Sequence, residues 1–173
     1  GVLHTQNIRY NWNFAFNFKL INSPGIFRNQ KNSHTNLIFN TWNNHAVGIM
    51  SQTNYQFKCK GFTDTTVTIY GDNHVELGNI KMNVWQMRAI INLPGQIPLS
   101  WNYSNGWLSQ WTISNHQETQ IHYKASSGSG MVAGQHLDDE LALLVGLYIR
   151  EFFSRLLVAF ISLVAILVIL RGI

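Results

Sequence analysis

The residues able to do chemistry are thinly spread. Seven histidines (His4, His34, His45, His74, His116, His122 and His136) offer imidazole for metal binding or proton transfer. None stands in an HxH, HxxxH or HExxH pattern, the spacings that bring two imidazoles to one face. A His₂Cys copper site needs His or Met shortly after its cysteine. Cys59 is followed instead by Lys-Gly-Phe-Thr-Asp, and residue 1 is Gly, where a histidine-brace site needs His. As the single cysteine, Cys59 allows neither an intrachain disulfide nor a Cys-based zinc site. Its shared parity with Tyr55 and Phe57 predicts a small core residue.

Carboxylates are scarcer still. Asp64, Asp72, Glu76 and Glu118 are the only ones before residue 126. Two of them would suffice for a glycosidase pair, but Asp72, in Gly71-Asp-Asn73, reads as turn chemistry. There is no GxSxG, no Gly-rich phosphate loop and no dinucleotide fingerprint. The sequence therefore predicts no catalytic residue, no metal ligand and no cofactor. A hydrolase or metal enzyme would need a site built from distant loops.

Aromatic residues are the better candidates for binding. "SWNYSNGWLSQWTIS" carries Trp101, Tyr103, Trp107 and Trp111. Beside Asn and Gln, such rings stack on sugars or anchor protein interfaces. The competing expectation is that two of the three tryptophans belong to a core. Asn102-Tyr-Ser104 is a permitted glycosylation acceptor, and "GVLHT" fits lipidation at Gly1. The basic residues are scattered rather than clustered, so the formal net charge of +4 does not indicate a nucleic-acid partner.

These residues must be positioned by β-structure. From Ile8 to Leu20, apolar residues alternate with polar ones, most of them aromatic, which predicts one long strand over Ile8–Ile21. Such a strand either bends between sheets near Ala15 or extends past its own domain. In the second case Ile8, Tyr10, Trp12 and Phe14 form a surface for a partner, by edge pairing or strand exchange. Further strands are expected in "NLIFNTW", "NYQFKCKGF", "TTVTIY", "HVELGNIKMNVW", "MRAIINLP", "IPLSWNYS", "WLSQWTIS" and "TQIHYKA". In the fourth of these the apolar parity slips at Gly78-Asn79, as a β-bulge would make it. Residues 1–125 thus read as an antiparallel β-sandwich or jelly-roll-like domain. The strands are too short and irregular for a transmembrane β-barrel.

"SSGSGMVAGQ" opens the stretch 126–137, which reads as a flexible Gly/Ser linker. Residues 138–173 read as a long helix, with acidic residues at its start and a transmembrane segment at about 152–170. Thirty helical residues exceed a bilayer core. The helix is therefore expected to tilt, to bend into the interface, or to pack its first half on partner helices. Gly146 would ease close approach, and Arg150 and Glu151 would pair within a complex.

Charged residues make up 12% of the chain, about half the usual share. A surface made polar by Asn, Gln, Ser and Thr is desolvated at little cost. The expected function is a non-enzymatic, single-pass, membrane-anchored structural or assembly subunit. Its partners would be the lipid bilayer, through Phe152–Leu170, and other protein subunits. A membrane-anchored adhesin, receptor or carbohydrate-binding module is the alternative. The N-terminal domain is extracytoplasmic if a leader has been removed and cytosolic if the chain is tail-anchored.

Overall fold

A computed structural model describes residues 12–22, 29–40, 44–50, 52–61, 64–115, 119–126, 129–134 and 139–171. Side chains are described from Leu37 onward, apart from those of residues 64, 119–120, 126 and 129–130. The strands are β1 (Trp12–Asn22), β2 (Asn29–Phe39), β3 (Ala46–Met50), β4 (Thr53–Lys60), β5 (Asp64–Tyr70), β6 (Glu76–Asn83), β7 (Arg88–Asn92), β8 (Leu99–Tyr103), β9 (Gln110–Ser114), β10 (Thr119–Ser126) and β11 (Ser129–Gly134). One helix follows, α1 (Glu140–Arg171).

The mainly antiparallel β class with a long C-terminal helix is what the sequence predicts. The sandwich is not confirmed. Consecutive strands pair antiparallel in one sheet, and β11 then pairs parallel with β1, so the sheet closes into a barrel. Along the strands whose side chains are described, buried and exposed residues alternate, as in the buried-exposed-buried-exposed-buried run of β3; the outward set is mainly polar but includes Val47, Ile49 and Ile90. Lys58, Lys60, Lys81, Arg88 and Lys124 lie on the exposed outer wall. The phase slip at Gly78 is a register shift against β5, where Ile69 faces Gly78 and Tyr70 faces Glu76. Gly78 has φ +146, and a Cβ there would meet the Asn92 carbonyl at 2.4 Å, so only glycine fits.

The structure departs from the expectation in three places. Strands β2 and β3 are longer or newly formed, because "NQKNSHT" and "AVGIM" carry too little alternation to be read as strands alone. The second is the expected linker. Ser129–Gly134, within 126–137, is strand β11, paired with β10 on one side and β1 on the other. Small residues permit a strand as well as a tether, and here two neighbours satisfy its backbone.

The third departure concerns the helix. A barrel of about eight strands is filled by its own side chains. Eleven strands leave room for more, and the first half of α1 occupies it. Ala142, Leu143, Leu144, Val145, Gly146, Leu147, Tyr148 and Ile149 are all buried, as are Glu151, Phe152 and Phe153. A helix enclosed on every side must be apolar on every side. So the first half neither tilts in lipid, nor lies in an interface, nor needs partner helices. Its own barrel supplies the apolar surroundings. The expected membrane segment beginning at 152 is corrected accordingly, since Phe152 and Phe153 are inside the barrel. From Val158 to Arg171 every residue is exposed.

Candidate functional site: the filled barrel and its exit rim

The fit between helix and wall depends on two glycines. Gly48 in β3 faces Leu144, and a Cβ at 48 would lie 2.6 Å from Leu144 Cδ2. Gly146 in α1 faces β9 and β10, where a Cβ would lie 2.4 Å from Tyr123 Oη and 3.0 Å from Ile113 Cδ1. Gly146 does ease close approach, but to its own barrel.

Polar tips of otherwise apolar rings tie the helix in place. Trp101 Nε1 donates to the Gly146 carbonyl at 3.1 Å. Tyr123 Oη donates to the carbonyls of Ala142 and Leu143 at 3.3 and 3.2 Å. Tyr148 Oη donates to the Asn44 carbonyl at 2.8 Å. The Tyr148 ring is stacked between Phe57 and Phe39, at 4.4 and 5.1 Å between centroids. At the start of α1, Asp139 Oδ1 accepts from Ala142 N at 2.9 Å, a capping bond. Asp139 also accepts from Gln96 Nε2 at 3.3 Å.

The ion pair of the sequence reading forms, but within the chain. Arg150 Nη1 lies 3.2 Å from Glu151 Oε2, with the Glu151 side chain 4% exposed and Arg150 26%. Burial pushes the Glu151 carboxyl above its ordinary value, against the lowering effect of Arg150 and Arg155. Burial likewise pushes Tyr103 up to about 12. The Arg150 guanidinium lies 5.8 Å from the Trp111 ring centroid.

Of the four aromatic residues proposed for ligand stacking, two are core. Trp101 is fully buried, packed against Phe153 at 5.5 Å, and Trp111 is buried against Tyr123 at 5.1 Å. Tyr103 is half-buried, edge-on to Trp101. Trp107 is 91% exposed. Asn102 is half-buried within β8, opposite Arg88 and Thr112. It lines a cleft of about 410 Å³ with Lys81, Asn83, Gln86, Arg88 and Ser100. An adjoining cleft of about 510 Å³ is walled by Trp85, Met87, Tyr103 and Leu108. Trp12 and Phe14 sit in β1 with backbones paired to Phe39 and Leu37. Ile8, Tyr10 and Gly1 lie outside the described residues. Among the described residues, no three of His, Cys, Asp or Glu gather as a metal site.

The antiparallel order sorts the connections onto two ends. The start of α1 lies at the end that carries the β5–β6 and β7–β8 connections, because Gln96 reaches Asp139. The helix leaves at the opposite end, among the β2–β3, β6–β7 and β8–β9 connections. There Arg155 Nη2 donates to the Asn40 carbonyl at 3.1 Å, and its guanidinium covers the Phe39 ring at 4.9 Å. Among the described residues, this exit rim carries the two most exposed tryptophans, Trp107 and the 86% exposed Trp85. Sequence reasoning passed over Trp85, because it read that residue as the end of a strand.

Comparison of the chain with protein-family models, with characterised proteins and with solved structures returns no match. Among the described residues, one helix, α1, is long and apolar enough to cross a membrane.

Proposed function

We propose that this chain is a non-enzymatic, single-pass membrane protein whose barrel is mounted on its own anchor as a structural or assembly unit. One observation carries the reading. The same unbroken helix is enclosed in the barrel as far as Phe153 and wholly exposed from Val158 onward. A run such as "VAFISLVAILVIL" in water would have a large uncompensated apolar surface, and a bilayer removes it. The mount is stiff, because no flexible joint separates the enclosed from the projecting half. A stiff mount fixes the distance and attitude of the barrel relative to the membrane, which suits a part in an assembly. The exposed apolar side chains of the barrel's outer wall, Val47, Ile49 and Ile90 among them, support contact with other protein subunits.

Fractionation tests this reading. The full chain should stay in the membrane pellet through alkaline carbonate. A chain ending at Arg155 should become soluble with the barrel's cooperative melting retained. Release of the full chain by carbonate would defeat the proposal.

A second reading, a carbohydrate-binding module, is favoured by the adjoining clefts around Asn102, Gln86 and Tyr103. A glycan array probed with the detergent-solubilised chain decides it, and absence of binding counts against.

A further inference from the structure

We propose that the exit rim of the barrel is itself a membrane-docking surface, with Trp85 and Trp107 seated among the headgroups of an anionic leaflet. This rests on the anchoring reading above and adds a second contact with the same bilayer.

Helix length makes the first argument. The apolar run is bracketed by Arg155 and Arg171. Fifteen residues lie between them, so the two are sixteen helical steps apart, about 24 Å at a rise of about 1.5 Å per residue. The hydrocarbon core is about 30 Å thick. Both arginines must therefore reach outward to headgroups. Arg155 has little freedom to do so, being held to the Asn40 carbonyl and over the Phe39 ring. A helix this short crosses only if Arg155 sits at the hydrocarbon boundary, and the rim to which it is fixed comes down with it.

The rim's side chains make the second argument. A fully exposed tryptophan on a soluble surface is costly, whereas the headgroup layer suits its amphipathic ring. Two are presented here, on adjacent connections; Trp85 lines a cleft with Met87 and Leu108, and Trp107 precedes Leu108 in the chain. Neither connection is slack. In the β8–β9 turn, Asn105 Oδ1 accepts from the backbone N–H of Ser109 and Gln110 at 3.0 Å, and Asn105 Nδ2 donates to Ser109 Oγ at 2.8 Å. In the β6–β7 turn, Asn83 Oδ1 accepts from Gln86 N at 3.0 Å. Met87 and Leu108 hold left-handed backbones, at φ 50 and 56. Ordered turns hold these rings out in solvent.

Charge makes the third. Lys60 ends β4, Arg88 begins β7 and Lys124 lies near the end of β10, all exposed and all towards the exit end with Arg155. Asp72, Glu76, Asp139 and Glu140 lie towards the opposite end. Among the described residues, the acids on the exit side are Glu151, buried and paired with Arg150, and Asp64, which opens β5. The basic end faces the bilayer, where an anionic leaflet attracts each cation.

The test uses the full chain in liposomes of phosphatidylcholine, with or without phosphatidylserine, that carry lipids brominated near the top of the acyl chain. Bromine quenches tryptophan it touches; Trp101 and Trp111 are enclosed, and Trp12 and Trp42 are replaced by phenylalanine in every protein compared, so that the signal reports Trp85 and Trp107. Wild type is compared with Trp85→Phe/Trp107→Phe and with Lys60→Gln/Arg88→Gln/Lys124→Gln. Strong quenching in wild type, largely lost in the double variant, is expected. In serine-lipid vesicles each cation removed should lower the docked-to-undocked ratio by up to about fivefold. Equal quenching of wild type and the double variant, with the protein still carbonate-resistant, would overturn rim docking and leave the anchor standing. Release by carbonate would overturn both.

Discussion

Replacing Gly146 by valine should destabilise the protein, against the usual direction for a helix. In an exposed helix, glycine to alanine stabilises by up to about 1 kcal/mol, and valine by a few tenths. Inside the barrel a Cβ at 146 would stand 2.4 Å from Tyr123 Oη and 2.6 Å from its Cζ. Carbon contacts favour about 3.5–4.0 Å, so the phenol would have to retreat by about 1 Å. It is held by its bonds to Ala142 and Leu143 and by its stack on Trp111. Overpacking of this kind costs about 1–3 kcal/mol. For alanine the two effects nearly offset. For valine, with two more methyl groups, the loss should be about 2–3 kcal/mol, or about 4–12 °C in Tm for a chain of this size. The assay is denaturation of the full chain in mild detergent, followed by tryptophan fluorescence and circular dichroism. Ala159→Val on the projecting half is the control and should change stability by no more than about 0.5 kcal/mol. Tyr123→Phe removes the closest atom and should recover part of the loss in the double variant, with a coupling of about 1 kcal/mol. A Gly146→Val protein as stable as wild type would refute the enclosed helix.

Tyr148→Phe should cost about 1 kcal/mol by stranding the Asn44 carbonyl. Tyr148→Ala should cost about 3–5 kcal/mol by emptying the space between Phe39 and Phe57; equal melting of the two variants would contradict this. Glu151 has a raised folded pKa, so its favourable contribution is fully present below the ordinary value of 4.5 and is lost as pH rises through the folded value. Glu151→Gln should therefore gain on wild type as pH rises, and paired melts at acid and neutral pH would detect it; a constant difference would argue against burial. Met131→Pro should destabilise by at least about 1 kcal/mol, because β11 has strand neighbours on both sides. A slack linker would tolerate it, with no change in Tm.

Where alternation was strong the sequence was legible. The bulge at Gly78 and the strands from Thr65 to Tyr123 follow from parity, because each buries one face. The enclosed helix was illegible for a physical reason. Leu, Val, Ile and Phe look the same whether lipid or a barrel wall surrounds them. Arg150, Glu151 and Arg155 are the only clues, and they mark the exit. Barrel closure was hidden likewise, since β11 consists of Ser, Gly, Ala, Met and Val with no periodic signal. The rim was half visible. Trp107 was singled out, but its likeness to Trp85 emerges only once the strand order places both turns on one end.

The most direct measurement is photo-cross-linking of the full chain in liposomes with photo-leucine in place of leucine, read by mass spectrometry. Leu143, Leu144 and Leu147 should link to barrel peptides, with Leu144 reaching the segment around Gly48, while Leu163, Leu167 and Leu170 should carry lipid adducts. Lipid adducts, or links to a second chain, at Leu144 and Leu147 would contradict the account.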